Sequence, residues 1–393
     1  MTLYKDKLSV TEPIRLGIIG GGQLGKMLAA EAKRMSMQVV ILDPTTRCPA
    51  SSFADKVIVG NFSDEQKIYE LAHEVDLVTY EIELANSRAL TNLENSGVQV
   101  HPSPKTLSIV QNKLRQKKFL RENNISVPDF KEVLDEDQVD KVCAEFGYPV
   151  LLKACEDSYD GRGNYLIRSR DDIKGALEYF SGRECMLEKY VNFKKELSIM
   201  IARNPSGCIS YFPVVENIHE DHILKTTIAP AQITAMAEKR AIDLAVKTME
   251  SLKGSGIFGI EMFLDEDDEV LINEIAPRPH NSGHYTIEAC SVSQFEQHLR
   301  AILDYPMPQP TLESKAVMIN ILGPEEVSGP YTLNGIRDTL ALPGVRIHLY
   351  GKEETRPKRK LGHVTILISN TNPLVVRDMV ERKLSVQGKQ KMA

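Results

Sequence analysis

Short apolar runs alternate with amphipathic stretches along most of this chain. Residues 14–19 (IRLGII) read as a buried strand, and Gly20, Gly21 and Gly22 separate it from an amphipathic helix, KMLAAEAKRM. A strand at 38–42 follows, ending at Asp43. DKVIVGNF and DLVTYEIE read as further strands, DEQKIYELAHEV and NSRALTNLENSG as helices, and VQVHPSP as a strand exit. Alternating strands and helices with short connections predict a parallel, doubly wound sheet. Ligands of such a sheet sit at the carboxyl ends of its strands, which makes Glu81 and Glu83 candidate site residues. Helix capping or surface placement is the alternative for both.

The pattern then changes. Residues 104–124 read as one basic amphipathic helix, and a new unit starts near VPDFKEV. DEDQVDKVCAEFG is a helix and YPVLLKA a strand that holds Lys153. EDSYDGRG (156–163) is a glycine-bearing loop between YPVLLKA and NYLIRS, a predicted hairpin whose backbone N–H groups can close over phosphates. It lacks GKS/T and opens no helix, so it is not a Walker loop. After a helix at 171–181, CMLEKYVNFKKELSIMIAR predicts a strand, a turn at 192–195 and a second strand opening at Glu196, readable as a plain antiparallel pair. A long helix, TAMAEKRAIDLAVKTMESLKGSG, ends in glycines that suit a C-cap. GIFGIEMFL and LINEIAP then read as two strands joined by the acidic turn Asp265–Asp268, with Glu261 in one and Glu274 in the other. A helix at 287–304 leads to the proline-rich link YPMPQP, which marks a change of unit. The remainder is a small β-rich portion.

Length and composition narrow the class. A chain of 393 residues suits two or three domains, and 42% hydrophobic with 26% charged residues is the balance of a soluble globular protein. A net charge of −6 gives no general attraction to nucleic acid or an anionic membrane. LRQKKFLR is therefore better read as a solvated helix face than as a nucleic-acid contact, and KEETRPKRK as a solvated hairpin or, taken with the other motifs below, as a phosphate clamp. Six scattered cysteines without CxxC fit a reducing cytosol. The start carries no signal-peptide core, and no stretch approaches the ~20 apolar residues that span a bilayer.

Two chemistries compete for the motifs. Gly20-x-Gly22-x-x-Gly25 between a strand and a helix, with Asp43 downstream, matches the dinucleotide fingerprint and makes an NAD-dependent oxidoreductase a rival reading. A tight strand–helix turn explains the same glycines. Glu261 and Glu274, followed by Arg278, His280, Asn281, Ser282 and His284 among prolines and Gly283, suit a Mg²⁺–phosphate site. Mg²⁺ takes one or two carboxylates plus nucleotide oxygens and keeps several waters. A charged hairpin with glutamates on its wet face is the plainer alternative. His219 and His222 lack zinc-like partners.

GIIGGGQLGKMLA at 17–29, YDGRG at 159–163, FGIEMF at 258–263, NEIAPRPHNSGH at 273–284 and KRKLGH at 358–363 decide between them. Together these stretches resemble the ATP-grasp superfamily, and within it the N5-carboxyaminoimidazole ribonucleotide synthetase family of purine biosynthesis. The resemblance implies an ATP-grasp fold: a doubly wound parallel α/β domain (1–112), a lid subdomain (113–190), a catalytic subdomain (191–310) and an antiparallel β-rich portion (311–393). It implies ATP-dependent carboxylation of 5-aminoimidazole ribonucleotide with bicarbonate, through carboxyphosphate, giving ADP and phosphate. Other ATP-grasp carboxylases or purine ligases, formate-dependent or biotin carboxylase-like, remain the near alternatives, and a non-catalytic nucleotide-binding module a distant one. ATP and one or two Mg²⁺ ions are the implied cofactors, with a cytoplasmic homodimer that binds no nucleic acid or membrane.

The resemblance also assigns residues. Lys113 and Lys153 hold ATP phosphates under a lid of Asp157, Ser158, Tyr159, Asp160, Gly161, Arg162 and Gly163. Glu188, Lys189, Tyr190 and Val191 line adenine, Glu196 binds ribose, and His219 belongs to the nucleotide site. Glu261 and Glu274 ligate Mg²⁺. Ala276 stands where many relatives place an Asn, which leaves Asn273 as candidate third ligand. Gln23, Leu24, Tyr159, Asp160, Arg162, Lys352 and Arg359 bind the ribonucleotide, the last two its phosphate. Arg278, His280, Asn281, Ser282 and Glu83 surround the bicarbonate. No residue presents itself as a general base.

Overall fold

Leu16, Ile18 and Ile19 are fully buried, which is why RLGII forms a central strand rather than an edge. The computed structural model describes residues 12–156 and 163–389. The first unit runs β1 (Arg15–Ile19), α1 (Gln23–Arg34), β2 (Gln38–Asp43), β3 (Lys56–Val59), α2 (Glu65–Glu74), β4 (Leu77–Tyr80), α3 (Ser87–Asn95) and β5 (Gln99–Val100). Its strands form a parallel sheet in the order β3-β2-β1-β4-β5. The order turns back at β1, so the crevice beyond the ends of β1 and β4 opens at Gly20 and Glu81. Side chains of Asp64 and Asn86 cap α2 and α3 by accepting backbone N–H bonds.

The predicted helix at 104–124 is two helices, α4 (Pro104–Gln111) and α5 (Lys113–Glu122). Asn112 breaks it with extended backbone angles (φ −115°, ψ 114°), and its side chain accepts the Arg115 N–H to start α5. Next come β6 (Phe130–Val133), α6 (Glu136–Phe146), β7 (Val150–Ala154), β8 (Asn164–Ile167), α7 (Asp172–Tyr179) and β9 (Cys185–Lys189). They form a four-stranded antiparallel sheet, β6-β9-β7-β8, covered by the apolar faces of α6 and α7.

The largest sheet begins at β10 (Phe193–Arg203) and continues with β11 (Ile209–Tyr211), β12 (Val215–Glu220), β13 (Ile223–Ala229), α8 (Ala235–Leu252), β14 (Gly256–Asp265) and β15 (Val270–Ala276). β9 and β10 are not the antiparallel pair the sequence suggested. They belong to different sheets, and residues 190–192 cross between them. Lys253, not a glycine, takes the left-handed C-cap of α8 (φ 56°).

After α9 (Thr286–Ala289) and α10 (Gln294–Ile302) come β16 (Lys315–Leu322), β17 (Gly329–Asn334), α11 (Ile336–Leu340), β18 (Val345–Leu349), β19 (Glu354–Thr355), β20 (Lys360–Ile368), α12 (Pro373–Lys383) and β21 (Ser385–Gly388). The helix expected at 287–304 is thus interrupted. Cys290 leaves the helical path to bridge Leu312, and Ser293 restarts the chain by accepting the Glu296 N–H. β16 pairs with β13, so β16, β20 and β18 extend the large sheet: β15-β14-β10-β12-β13-β16-β20-β18, with β11 on β10. β19, β17 and β21 make a small separate sheet.

Alternation along β10 and β14 divides the large sheet into two faces. Leu197, Ile199 and Ile201 of β10 and Phe258, Ile260, Met262 and Leu264 of β14 lie on one face. Ala237, Ala241, Ala245 and Met249 pack there from α8 at helical spacing. Each large buried side chain contributes about 1.5–3 kcal/mol. Glu196, Ser198, Gly259 and Glu261 are the intervening residues and project to the other face, where the site is built. Among the described residues no helix is long and apolar enough to cross a membrane.

Candidate active site

Glu261 of β14 and Glu274 of β15 are direct cross-strand partners. The register slips between Glu261 and Met262, because Met262 pairs with Ile272 and leaves Asn273 as the extra residue of a bulge. A bulge re-aims a side chain locally, which puts Asn273 beside Glu274. The turn that joins the strands is held by Asp265, whose carboxylate accepts the N–H groups of Asp267 and Glu269.

Like charges directly opposite each other are unfavourable. Burial raises the Glu261 pKa, and His219 offsets part of that while Glu274 and Glu196 add to it. Lys113 compensates Glu274 at 3.0 Å. Burial alone would raise the Glu274 pKa, but Lys113, with Lys153 and Arg278, brings it down. Glu196 meets His219 Nδ1 at 2.6 Å. Burial works to lower the His219 pKa, and the Glu196 bond with the charges of Glu261 and Glu196 outweighs it and raises it. This donor set fits Mg²⁺ held partly by nucleotide oxygens. No three His, Cys, Asp or Glu side chains converge as a closed metal cage among the described residues.

The loop after β15 lies over this face. Gly259 makes room for it, since a Cβ there would meet the Cβ of His280 at 2.5 Å. Gln294 of α10 clamps the loop: its Oε1 accepts the His280 N–H at 2.9 Å, and its Nε2 donates to the His280 carbonyl at 2.9 Å. The same Nε2 lies 3.1 Å from His284 Nδ1, so that nitrogen accepts. His280 Nδ1 contacts Ser282 Oγ at 2.9 Å, and Nε2 faces Glu261 Oε1 at 3.6 Å. Burial, aided by the charge of Arg278, holds the His280 pKa well below its usual value. Asn281 is buried with both polar side-chain atoms unpartnered. Arg278 Nε pairs with Glu83 Oε1 at 2.8 Å and also feels Glu81 and Glu274.

The glycine run does different work from a dinucleotide cradle. Glu81 accepts the Gly22 N–H at 2.6 Å and the Gly25 N–H at 3.1 Å, and Asp43 accepts the Gly21 N–H at 2.9 Å. The amino end of α1, where a pyrophosphate would sit, is filled by the protein's own carboxylates. Burial raises the Glu81 pKa to about 7 against the pull of those N–H groups. Gly25 is needed because a Cβ there would lie 2.4 Å from the Gly20 carbonyl oxygen.

A cavity of about 920 Å³ opens between the first unit and the carboxyl-terminal strands. Gln23 and Asp43 line one side, and Lys352, Arg356, Arg359 and Lys360 the other. Burial and the charge of Arg359 push the Lys352 pKa down to about 8. Burial and Arg356 likewise lower that of Arg359. Cations crowded against one another in this way favour a bound dianion. Leu24, expected beside Gln23, is instead buried in the first unit's apolar core, because it points inward from α1.

The nucleotide-side residues are distributed unevenly. Glu188, expected to line adenine, is buried between Lys153 and Lys117, with Lys117 Nζ at 2.8 Å and Lys153 as the closer partner. Burial alone would raise its pKa, but the two ammonium charges bring it down to about 2. Burial and Lys153 push Lys117 to about 8. Lys189 and Tyr190 are exposed and Val191 half-buried on the crossing between the two sheets. Gly163 closes the base of the β7–β8 hairpin, where its carbonyl accepts the Ala154 N–H. Asp157, Ser158, Tyr159, Asp160, Gly161 and Arg162 lie outside the described residues.

Comparison with known proteins gives three consecutive family matches. The ribonucleotide synthetase preATP-grasp domain matches residues 14–111, the ATP-grasp domain residues 118–295, and the phosphoribosylaminoimidazole carboxylase C-terminal domain residues 316–375. An N5-carboxyaminoimidazole ribonucleotide synthase of Bacillus subtilis is 38% identical over 352 residues, covering 90% of this chain and 91% of that protein. The chain belongs to the N5-carboxyaminoimidazole ribonucleotide synthase family. The crystal structure of the Thermotoga maritima synthetase superposes with a TM-score of 0.88 at 45% identity, over 96% of this chain and 100% of that one. An Aspergillus clavatus synthase in complex with ADP and 5-aminoimidazole ribonucleotide gives a TM-score of 0.86 at 36% identity, over 94% and 99%. A phosphoribosylaminoimidazole carboxylase of Ogataea methanolica is 40% identical over 361 residues, 90% of this chain. The chain spans only 66% of that relative's length.

Within this ATP-grasp frame, several site residues escaped the sequence reading. Lys117 is one of four lysines and arginines in LRQKKFLR, a stretch read as a solvated face, yet it is buried at 2% exposure. Ser198 and Asn217 share the strand alternation of Glu196 and His219, and that period was the available signal. Gln294 carried none, since its role depends on a loop folded back from β15.

Proposed function

We infer that this protein is an ATP-dependent carbon–nitrogen ligase that carboxylates 5-aminoimidazole ribonucleotide with bicarbonate. The observation that carries this reading is the position of Arg278. It pairs with Glu83 at the edge of the first unit and lies within charge range of both Glu81 and Glu274. The loop it begins therefore stands between an acidic, phosphate-type site and a cationic cavity.

Bicarbonate held by Arg278 and the Asn281 amide attacks the γ-phosphorus of ATP. The bond from that phosphorus to the β–γ bridging oxygen breaks, and its electron pair leaves with ADP. Carboxyphosphate then loses phosphate as its C–O bond breaks, releasing CO₂ beside the ribonucleotide. The exocyclic amine forms the new N–C bond and gives up a proton. Phosphoryl transfer of this kind depends mainly on positioning and charge neutralisation. Glu261 and Glu274 would hold Mg²⁺, with Asn273 at the bulge as a further oxygen donor, and the ion would neutralise the transferring phosphates. Lys113 and Lys153 would turn from Glu274 and Glu188 toward phosphate oxygens. Lys352 and Arg359 clamp the ribonucleotide's phosphate, and Gln23 closes that cavity from the other side. Glu196 and His219 lie on the nucleotide side of the carboxylate pair.

The same reading divides the chain at about residues 112, 190 and 310 into pre-ATP-grasp, lid, catalytic and carboxyl-terminal parts, and places it in the cytoplasm as a homodimer. ADP release with each substrate omitted in turn tests the activity. Release should require both bicarbonate and the ribonucleotide, and turnover that ignores either one contradicts the assignment.

A further inference from the structure

A line of buried side chains crosses the site face of the large sheet and ends on His280. Thr227 of β13 donates its hydroxyl to Asn217 Oδ1 at 3.0 Å, and Asn217 Nδ2 donates to Ser198 Oγ at 2.9 Å. Ser198 donates to Ser282 Oγ at 2.8 Å, and Ser282 Oγ lies 2.9 Å from His280 Nδ1. All four residues that lead to the imidazole are buried, so solvent does not compete for these bonds.

One donor in this cluster cannot reverse. The backbone N–H of Ser282 points at His280 Nδ1 at 3.4 Å, and a backbone N–H only donates. At that length the backbone N–H only biases Nδ1 toward accepting, and the Ser282 hydroxyl, closer at 2.9 Å, decides it. That hydroxyl is free to donate to Nδ1, which then carries no proton. Ser282 Oγ accepts from Ser198, and Ser198 accepts from the Asn217 amide. Every bond in the line has one consistent direction. A histidine with one nitrogen fixed as acceptor presents its proton on the other.

We propose that Ser198, Asn217 and Thr227 are positioning residues that fix His280 as the Nε2–H tautomer, aimed at the carboxylate-lined nucleotide site. This rests on the ligase reading for its chemical consequence. A neutral N–H donor there holds an oxygen of bicarbonate or of the transferring phosphoryl group, without the added charge of an imidazolium beside Glu261. Preorganised donors of this kind act where charge develops and need no reorientation during reaction. The strand register makes the arrangement possible, since Asn217 lies opposite both Glu196 on β10 and Thr227 on β13. Ser198, Asn217 and Thr227 act on substrate only through the Ser282–His280 pair.

Asn217→Asp separates this role from simple packing. Its carboxylate accepts at both oxygens, so the Ser198 hydroxyl must turn toward it, the Ser282 hydroxyl toward Ser198, and the imidazole loses its hydroxyl donor. The readout is the ¹⁵N shift pair of His280 in histidine-labelled protein, assigned by the signal lost in His280→Asn. The native protein should show a protonated Nε2 and an unprotonated Nδ1. A proton on Nδ1 overturns the proposal. Asn217→Asp should shift the ring toward the Nδ1–H form and lower kcat ~100-fold, the scale of one preorganised donor. The KM values for ATP and ribonucleotide should stay within about twofold, because the lost interaction belongs to the transition state. An unchanged ring with unchanged kcat overturns it. If Asn217→Asp does not fold, Ser198→Ala and Ser198→Thr serve instead. Loss in the first and rescue in the second support the line of donors, and equal activity in both removes it. Native turnover without dependence on bicarbonate would defeat the ligase reading while leaving the tautomer measurement intact.

Discussion

Glu261 stands directly across the β14–β15 ladder from Glu274, on the face opposite the apolar residues that pack against α8. Two carboxylates in that register repel each other unless a cation joins them, and Lys113 meets only one of them. Glu274→Gln should therefore cut ADP release by at least ~100-fold, since it removes a group that acts on transition-state charge. The fold should persist, with a melting temperature within about 3 °C of the parent. Steady-state kinetics over a Mg²⁺ titration, paired with a thermal melt, checks both. Unimpaired turnover would remove Glu274 from the metal site.

Lys352 sits among cations with its pKa pushed down to about 8, by burial first and Arg359 second. Its charge is present below that pH and is lost as pH rises through it, so ribonucleotide affinity should fall above about pH 8 while ATP affinity does not. Lys352→Ala should raise the ribonucleotide KM about 10- to 100-fold, the worth of one charge-assisted hydrogen bond. An unchanged ribonucleotide KM with weakened ATP binding would place this lysine in the other subsite.

Gly259 makes the close passage of His280 possible. Gly259→Ala should displace the imidazole, lower kcat on the order of 100-fold through misplacement, and cost about 1–3 kcal/mol of stability through overpacking. Urea unfolding measures the second effect and turnover the first. A variant with native kcat would show that the loop tolerates the shift.

How much of this was legible in the sequence differs by residue. The β14–β15 hairpin was readable because GIFGIEMFL and LINEIAP are strongly apolar and the acidic turn between them has its own local chemistry. The parallel first unit was readable because its connections are short. Asn112 was not seen as a helix break although its N-cap bond to the Arg115 N–H is local; what fixes the break from outside is its Nδ2, which donates to Glu156 and Glu184, and nothing nearby in sequence shows that. Glu188 looked like an open contact because nothing local places Lys117 beside it. The burial of Leu24 follows from which side of α1 meets the sheet, and its neighbour Gln23 falls on the other side by one residue.

Glu188 also sets an acid limit on the fold. Its folded pKa, about 2, lies below its ordinary value of 4.5, so the stability it contributes is present above about pH 4.5 and is lost as pH falls toward 2. Glu188→Gln leaves two buried lysines short of their partner and should cost about 3–5 kcal/mol at neutral pH. The variant should then lose less additional stability than the parent between pH 4.5 and 3. Denaturant melts at several pH values compare the two. Parallel acid profiles would show that this carboxylate is not the group responsible.

The central claim is that ATP phosphorylates bicarbonate between the carboxylate pair and the cationic cavity. Turnover of freshly prepared ¹⁸O-bicarbonate in the presence of ATP and the ribonucleotide tests it most directly. If the carboxyl group is activated as carboxyphosphate, one labelled oxygen is transferred to the inorganic phosphate released. Phosphate that stays unlabelled through a single turnover would contradict that account.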